Sequence, residues 1–223
     1  MLRALLLDLD GTLVDTPQAI VDVTQGTLTA LGLPPADPQA IKDGIGLPLP
    51  VALAQLIGTG PAGAADAVEI YRVLWRTHVT PRVPQLLYPG VRDGLSELKR
   101  ADLRMAVVTG KAQDGADSTV AAAGLQDVFD VVLGYTSVAN PKPAPDIALL
   151  AAEKLGVSAD DSVVVGDSTH DLEMASRAGM RSIAVTYGAL PEAALRAAGP
   201  TWVAHSFSEV VRIARGLANV RSP

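Results

Sequence analysis

The stretch Ala4-Leu5-Leu6-Leu7-Asp8-Leu9-Asp10-Gly11-Thr12 sets an apolar run directly against a pair of acids. Ala4 to Leu7 carries no polar residue, the pattern of a strand buried on both faces. In extended chain, residues two apart face the same way, so Asp8 and Asp10 can converge at the strand's carboxyl end. Gly11 permits a sharp turn just after them. Two carboxyl groups at one strand end suit a nucleophile or metal ligand beside a general acid/base. An Asx-type turn that merely ends the strand is the ordinary alternative. An EF-hand loop does not fit, because Gly11 comes too early and Leu13 follows.

Working outward, similar apolar runs recur at Met105 to Val108, Val128 to Leu133, Ser162 to Val165 and Ser182 to Val185. Helical patterns lie between them: Val91 to Arg100, Asp114 to Ala123 before Gly124, Pro145 to Leu155 before Gly156, Asp171 to Ala178 before Gly179, and Pro191 to Ala198 before Gly199. Strand alternating with helix at this spacing predicts an α/β domain with a doubly wound parallel sheet. One region breaks the rhythm. Between Thr16 and Pro84 there is no strand pattern, and Gln18 to Leu31, Leu49 to Ile57 and Gly63 to His78 read as helices. The expected division is therefore a core of residues 1–15 and 85–223 with a helical insert at 16–84. Such an insert, placed after the first strand, hangs over the ligand-binding edge of the sheet like a lid.

Composition narrows the chemistry. The chain has 223 residues, 48% of them hydrophobic, enough for one domain or one domain with an insert. Its formal charge of −6 argues against nucleic-acid binding through bulk electrostatics. With no cysteine, thiolate catalysis, disulfides and Cys-based zinc sites are excluded, and three histidines in no HExxH pattern leave little for a His-rich metal site. A metal here would be held by oxygen, which suits Mg²⁺ or Ca²⁺. No apolar run approaches the roughly 18 residues of a membrane span, and Asp8 and Asp10 interrupt the first one, so the chain reads as cytoplasmic.

Three other strand ends or loops carry candidate groups. Gly166-Asp167-Ser168-Thr169-His170-Asp171 again places acids after a strand, with helix capping as the ordinary alternative. A shared Mg²⁺ would offset repulsion between the acids of the two strand ends. Thr109-Gly110-Lys111 offers a hydroxyl and backbone N–H groups suited to a phosphate, though it lacks the Walker A pattern and can be a simple turn. Lys142 sits in Asn140-Pro141-Lys142-Pro143-Ala144-Pro145, where prolines stiffen the chain. It could neutralise a phosphoryl group and a carboxylate, or be an exposed lysine in a turn. There is no GxSxG, and Ser168 with His170 lacks triad spacing.

These segments resemble, in order and spacing, the four motifs of the haloacid dehalogenase superfamily: Asp8 to Asp15, Thr109, Lys142, and Gly166-Asp167 with Asp171. The helical block looks like the family's small cap, and within the family the chain is most similar to phosphoglycolate phosphatases. The resemblance implies a Rossmann-like core and an aspartyl-phosphate mechanism. Asp8 would be the nucleophile and Asp10 the acid/base, Thr109 and Gly110 would hold the phosphoryl oxygens, and Lys142 would balance charge. Mg²⁺ would be held by Asp8, the Asp10 carbonyl and Asp167, with Asp171 ligating or orienting nearby. Asp10 disfavours true dehalogenases, which usually lack that acid. Phosphonate hydrolases use a cap lysine, and Lys42 is the only one here. Gly44-Ile45-Gly46-Leu47-Pro48-Leu49 lacks the arginine of hexose-phosphate mutases. Gly44 and Gly46 could let this loop approach a small substrate, or form a turn between helices. Arg72, Arg76, His78 and Arg82 could bind a second anion but read mainly as a solvated face, and His170 as a surface residue. The expected partner is a small phosphorylated metabolite, phosphoglycolate first, with pyrophosphate, a sugar phosphate or a nucleotide as alternatives. Phosphosugar mutation and a non-catalytic binding module are the rival functions, and the chain is expected to be a monomer or homodimer.

Overall fold

The computed structural model describes residues 1–219. Strand β1 (Ala4–Leu7) is followed by helices α1 (Pro17–Ala30), α2 (Pro38–Asp43), α3 (Leu49–Ile57) and α4 (Ala65–His78). Alternation then begins with α5 (Val91–Arg100), β2 (Arg104–Val108), α6 (Gln113–Ala122), β3 (Val131–Leu133), α7 (Asp146–Leu155) and β4 (Ser162–Gly166). It ends with α8 (Thr169–Arg177), β5 (Arg181–Val185), α9 (Glu192–Ala197), β6 (Trp202–Ala204) and α10 (Phe207–Asn219). All pairings are parallel, in the order β3-β2-β1-β4-β5-β6. This is the doubly wound arrangement expected from the sequence. Its direction of winding reverses between β1 and β4, and a crevice opens outside their carboxyl ends.

Side-chain alternation along β1 explains why helices cover both faces. Leu5 and Leu7 point into a core with Leu95, Leu98, Phe207 and Val210, from α5 and α10. Ala4 and Leu6 face Ile147, Ala151, Met174 and Ala175, from α7 and α8. The helices between β1 and α5 build a core of their own around Val23, Leu53, Tyr71 and Trp75. The chain returns from this block through a 3₁₀ turn, Thr80–Gln85.

The run from Val128 yields a strand only from Val131. Val128 donates its amide to Leu125 in a turn, while the Asp130 carboxylate accepts from the Met105 amide. Two helices and a strand were not read in advance: α2 and β6 are too short to show a period, whereas α10 carries one, with Phe207, Val210, Val211 and Ala214 buried at helical spacing. α2 has six residues, β6 has three at the sheet edge, and α10 closes the described chain.

Candidate active site

Register puts the two acidic strand ends side by side. Leu7 pairs with Val165, and the Asp8 amide donates to the Val165 carbonyl at 2.9 Å. Gly11 has a φ of +80°, and a Cβ there would lie 2.0 Å from Asp167 Oδ2, so the turn after β1 needs glycine on both counts. Thr12 donates to Asp167 Oδ1 at 3.2 Å, and the Ala189 amide donates to Asp167 Oδ2 at 2.7 Å. Asp171 occupies the third position of α8 and completes a capping box with Ser168. The capping role and the cluster role thus fall on one residue.

Lys142 is buried, unlike an ordinary lysine of a proline-rich turn. Its Nζ donates to Asp8 Oδ1 at 2.7 Å and to Asp171 Oδ1 at 2.6 Å. Asp8, Asp167 and Asp171 each offer an oxygen, all within 4.8 Å of one another. Burial, with Asp171 and Asp10 nearby, pushes the Asp8 carboxyl up to about 7 despite Lys142. Burial likewise raises Asp167, with Asp8 and Asp171 adding repulsion. Burial alone would lower Lys142, but Asp171 and Asp8 outweigh it and hold the ammonium charged. Three buried carboxyl groups around one ammonium make a set of hard oxygen donors with more acids than the single cation can neutralise. That charge and donor set fit a divalent cation such as Mg²⁺.

The Asp10 side chain stands apart from this cluster. Oδ1 accepts from the Thr16 hydroxyl at 2.7 Å, and Oδ2 pairs with Lys111 Nζ at 3.2 Å. Thr16 is the N-cap residue of α1, yet its side chain makes no capping bond and serves Asp10 instead. Lys111 also lies 3.8 Å over the ring of Trp75 in α4, so one ammonium bridges the sheet edge and the helical block. Thr16, Lys111 and Trp75 were not singled out in the sequence. The only signal for Lys111 was its place beside Thr109-Gly110.

A cavity of about 440 Å³ opens over this edge. Asp8, Asp10, Thr109 and Gly110 line its sheet side, and Gly44 and Gly46 line its helical side. A Cβ on Gly110 would lie 2.4 Å from the Gly46 carbonyl oxygen, so the two glycines permit backbone contact between core and helical block. His170 is not a plain surface residue, since its Nε2 lies 3.3 Å from the Asp43 carbonyl across the same junction. Arg72 and Arg76 border the cavity, whereas His78 and Arg82 are exposed and lie outside its lining.

The sequence pattern of the haloacid dehalogenase-like hydrolases matches residues 5–185, and so contains every acid described above. The chain belongs to that family. It is 43% identical over 219 residues to a protein of Dickeya dadantii named "Probable phosphatase IndB", covering 97% of this chain and 95% of that one. It is 32% identical over 197 residues to the phosphoglycolate phosphatase of Chromobacterium violaceum, covering 84% and 86%. A solved structure, a predicted phosphatase from Clostridium acetobutylicum, superposes with a TM-score of 0.86 over 97% of this chain and 99% of that one. At 24% identity, that last likeness concerns the fold. Among the described residues, no helix of this hydrolase is long and apolar enough to cross a membrane.

Proposed function

We propose that the protein is a Mg²⁺-dependent phosphatase of phosphate monoesters that works through an aspartyl-phosphate on Asp8. The observation that carries this reading is the placement of Asp8. Its carboxyl reaches the cavity on one side and the buried set of Lys142, Asp167 and Asp171 on the other. The reading divides the chain into a core of residues 1–15 and 85–223, which carries the chemistry, and a cap of residues 16–84.

Asp8 attacks phosphorus and the ester P–O bond breaks. Asp10, steadied by Thr16, gives its proton to the leaving oxygen and then takes one from the attacking water, so Asp8 is regenerated and phosphate released. The Thr109 hydroxyl and Gly110 N–H hold phosphoryl oxygens, and Lys142 compensates their charge. Asp8 and Asp167, with Asp171 and the Asp10 carbonyl beside them, would hold Mg²⁺, which supplies positive charge to the transferring phosphoryl group. The names of the relatives make phosphoglycolate the reference substrate.

The test is phosphate release over a broad panel of phosphate monoesters, with and without Mg²⁺, for the native protein and Asp8→Asn. We expect Mg²⁺-dependent release that Asp8→Asn abolishes while keeping its fold by circular dichroism. Full activity of Asp8→Asn would sink the nucleophile assignment. A phosphosugar mutase would instead accumulate an isomeric sugar phosphate in place of free phosphate.

A further inference from the structure

The phosphate end of the cavity occupies little of it. At about 440 Å³, the space falls in the range of pockets that enclose drug-sized ligands, far beyond a two-carbon acid. Away from Asp8 the α1–α3 side of its wall is mainly hydrocarbon, from Ile20, Ile41, Ile45, Leu49, Leu53 and Leu56, with polar and charged groups elsewhere on the lining. Such a wall gains nothing from a short charged leaving group. It gains from burying apolar surface, at about 25 cal/mol per Å².

The charges on the wall point the same way. A carboxylate carried into this space needs a cation to replace its water. Lys111 is engaged by Asp10 and the Trp75 ring. Arg72 pairs with Glu69 at 3.4 Å, and Arg76 is solvent-exposed. Asp43 and Asp114 border the same cavity and repel a second anion. Trp75 is stacked on Tyr71, with centroids 5.8 Å apart, and Lys111 lies over its ring. These aromatics therefore act as a packed wall rather than an open stacking platform.

Resting on the phosphatase reading above, we propose that this site selects phosphate monoesters whose leaving alcohol is bulky, uncharged and largely apolar on one side, in preference to short acids such as phosphoglycolate. The selection is made by the α1–α3 wall of the cap, and Leu56, half-buried on α3, is a specificity-determining residue. A hydrocarbon alcohol and a nucleoside share this chemistry, and the assay separates them.

The experiment measures kcat/KM with saturating Mg²⁺ for phosphoglycolate, benzyl phosphate and nucleoside 5′-monophosphates, all esters of primary alcohols. Benzyl phosphate, a nucleotide or both should exceed phosphoglycolate by about tenfold or more, chiefly through KM, as expected when an apolar pocket is filled. Whichever leads identifies the source. Leu56→Arg should cut the leading efficiency by about tenfold and narrow the gap to phosphoglycolate, while Leu56→Met retains the preference. Phosphoglycolate leading the panel, or Leu56→Arg leaving the ratio unchanged in a folded protein, overturns the proposal alone. Release of phosphate from no ester in the panel overturns the phosphatase reading and this proposal with it.

Discussion

Asp10 and Asp8 are two positions apart, yet their surroundings differ sharply. Asp8 is held by Lys142 in a buried cluster, whereas Asp10 is gripped by a hydroxyl and a partly exposed lysine. Thr16→Val should therefore act through Asp10. Leaving a buried acceptor short of its donor costs about 1–3 kcal/mol, which a thermal melt would register. In steady-state assays kcat should fall about tenfold or more with KM little moved, and Thr16→Ser should restore it. A loss confined to KM would argue against this positioning role. The carboxyl cluster also predicts a pH effect. Because Asp8 is raised from 3.8 to about 7, the folded metal-free protein binds a proton there that the unfolded chain gives up. Its stabilising contribution is present below pH 3.8 and lost as pH rises through 7. A divalent cation competes with that proton. The rise in Tm on adding Mg²⁺ should thus be larger at pH 8 than at pH 5, and equal rises at both would contradict the assignment.

At the scale of elements, two glycines set how closely the parts approach. Gly11 closes the turn after β1 against Asp167, so Gly11→Ala meets both an unfavourable φ and a carboxylate 2.0 Å away. The left-handed conformation alone costs about 1–2 kcal/mol, so Tm and Mg²⁺ affinity should fall together. Gly110→Ala differs, because its Cβ would press on the Gly46 carbonyl in the loop between α2 and α3 and not on the sheet. We expect Tm nearly unchanged, kcat/KM down about tenfold or more, and faster proteolysis between α2 and α3. A Gly110→Ala enzyme of full efficiency would show that this contact does not matter for turnover. Some element edges were hidden from pattern reading for a plain reason. Asp130 lies in a run of apolar residues but is spent on the Met105 amide and Arg104, which shortens β3.

Across the whole molecule, one of the chain's two tryptophans lies in the helical block and the other on the sheet. Trp75 packs in the helical block under Lys111, and Trp202 lies in β6 at the far edge of the sheet. Binding of orthovanadate with Mg²⁺ should alter Trp75 emission in a Trp202→Phe variant and leave Trp202 emission unchanged in a Trp75→Phe variant. A change carried equally by both would mean that ligand binding is not felt locally at the Lys111 junction.

The sequence by itself determined the doubly wound sheet, the helical block after β1 and the acids at two strand ends. Each is a local matter: an apolar run long enough to bury, a period of 3.6 or 2, or an acid beside a glycine. Asp8, Asp167 and Lys142 were legible because they end such runs or sit between prolines. Only the tertiary structure decided what these groups face. The pairing of β1 with β4 brought Asp8 to Asp167, and the folding of the 140–145 loop turned Lys142 from solvent into a buried partner of Asp8 and Asp171. Thr16 meets an acid only six residues away, whereas Lys111, Trp75 and the apolar wall of the helical block lay beyond sequence reading for the same reason. Their contacts join segments whose separation along the chain encodes nothing about distance, and only packing the helical block onto the sheet edge fixes them.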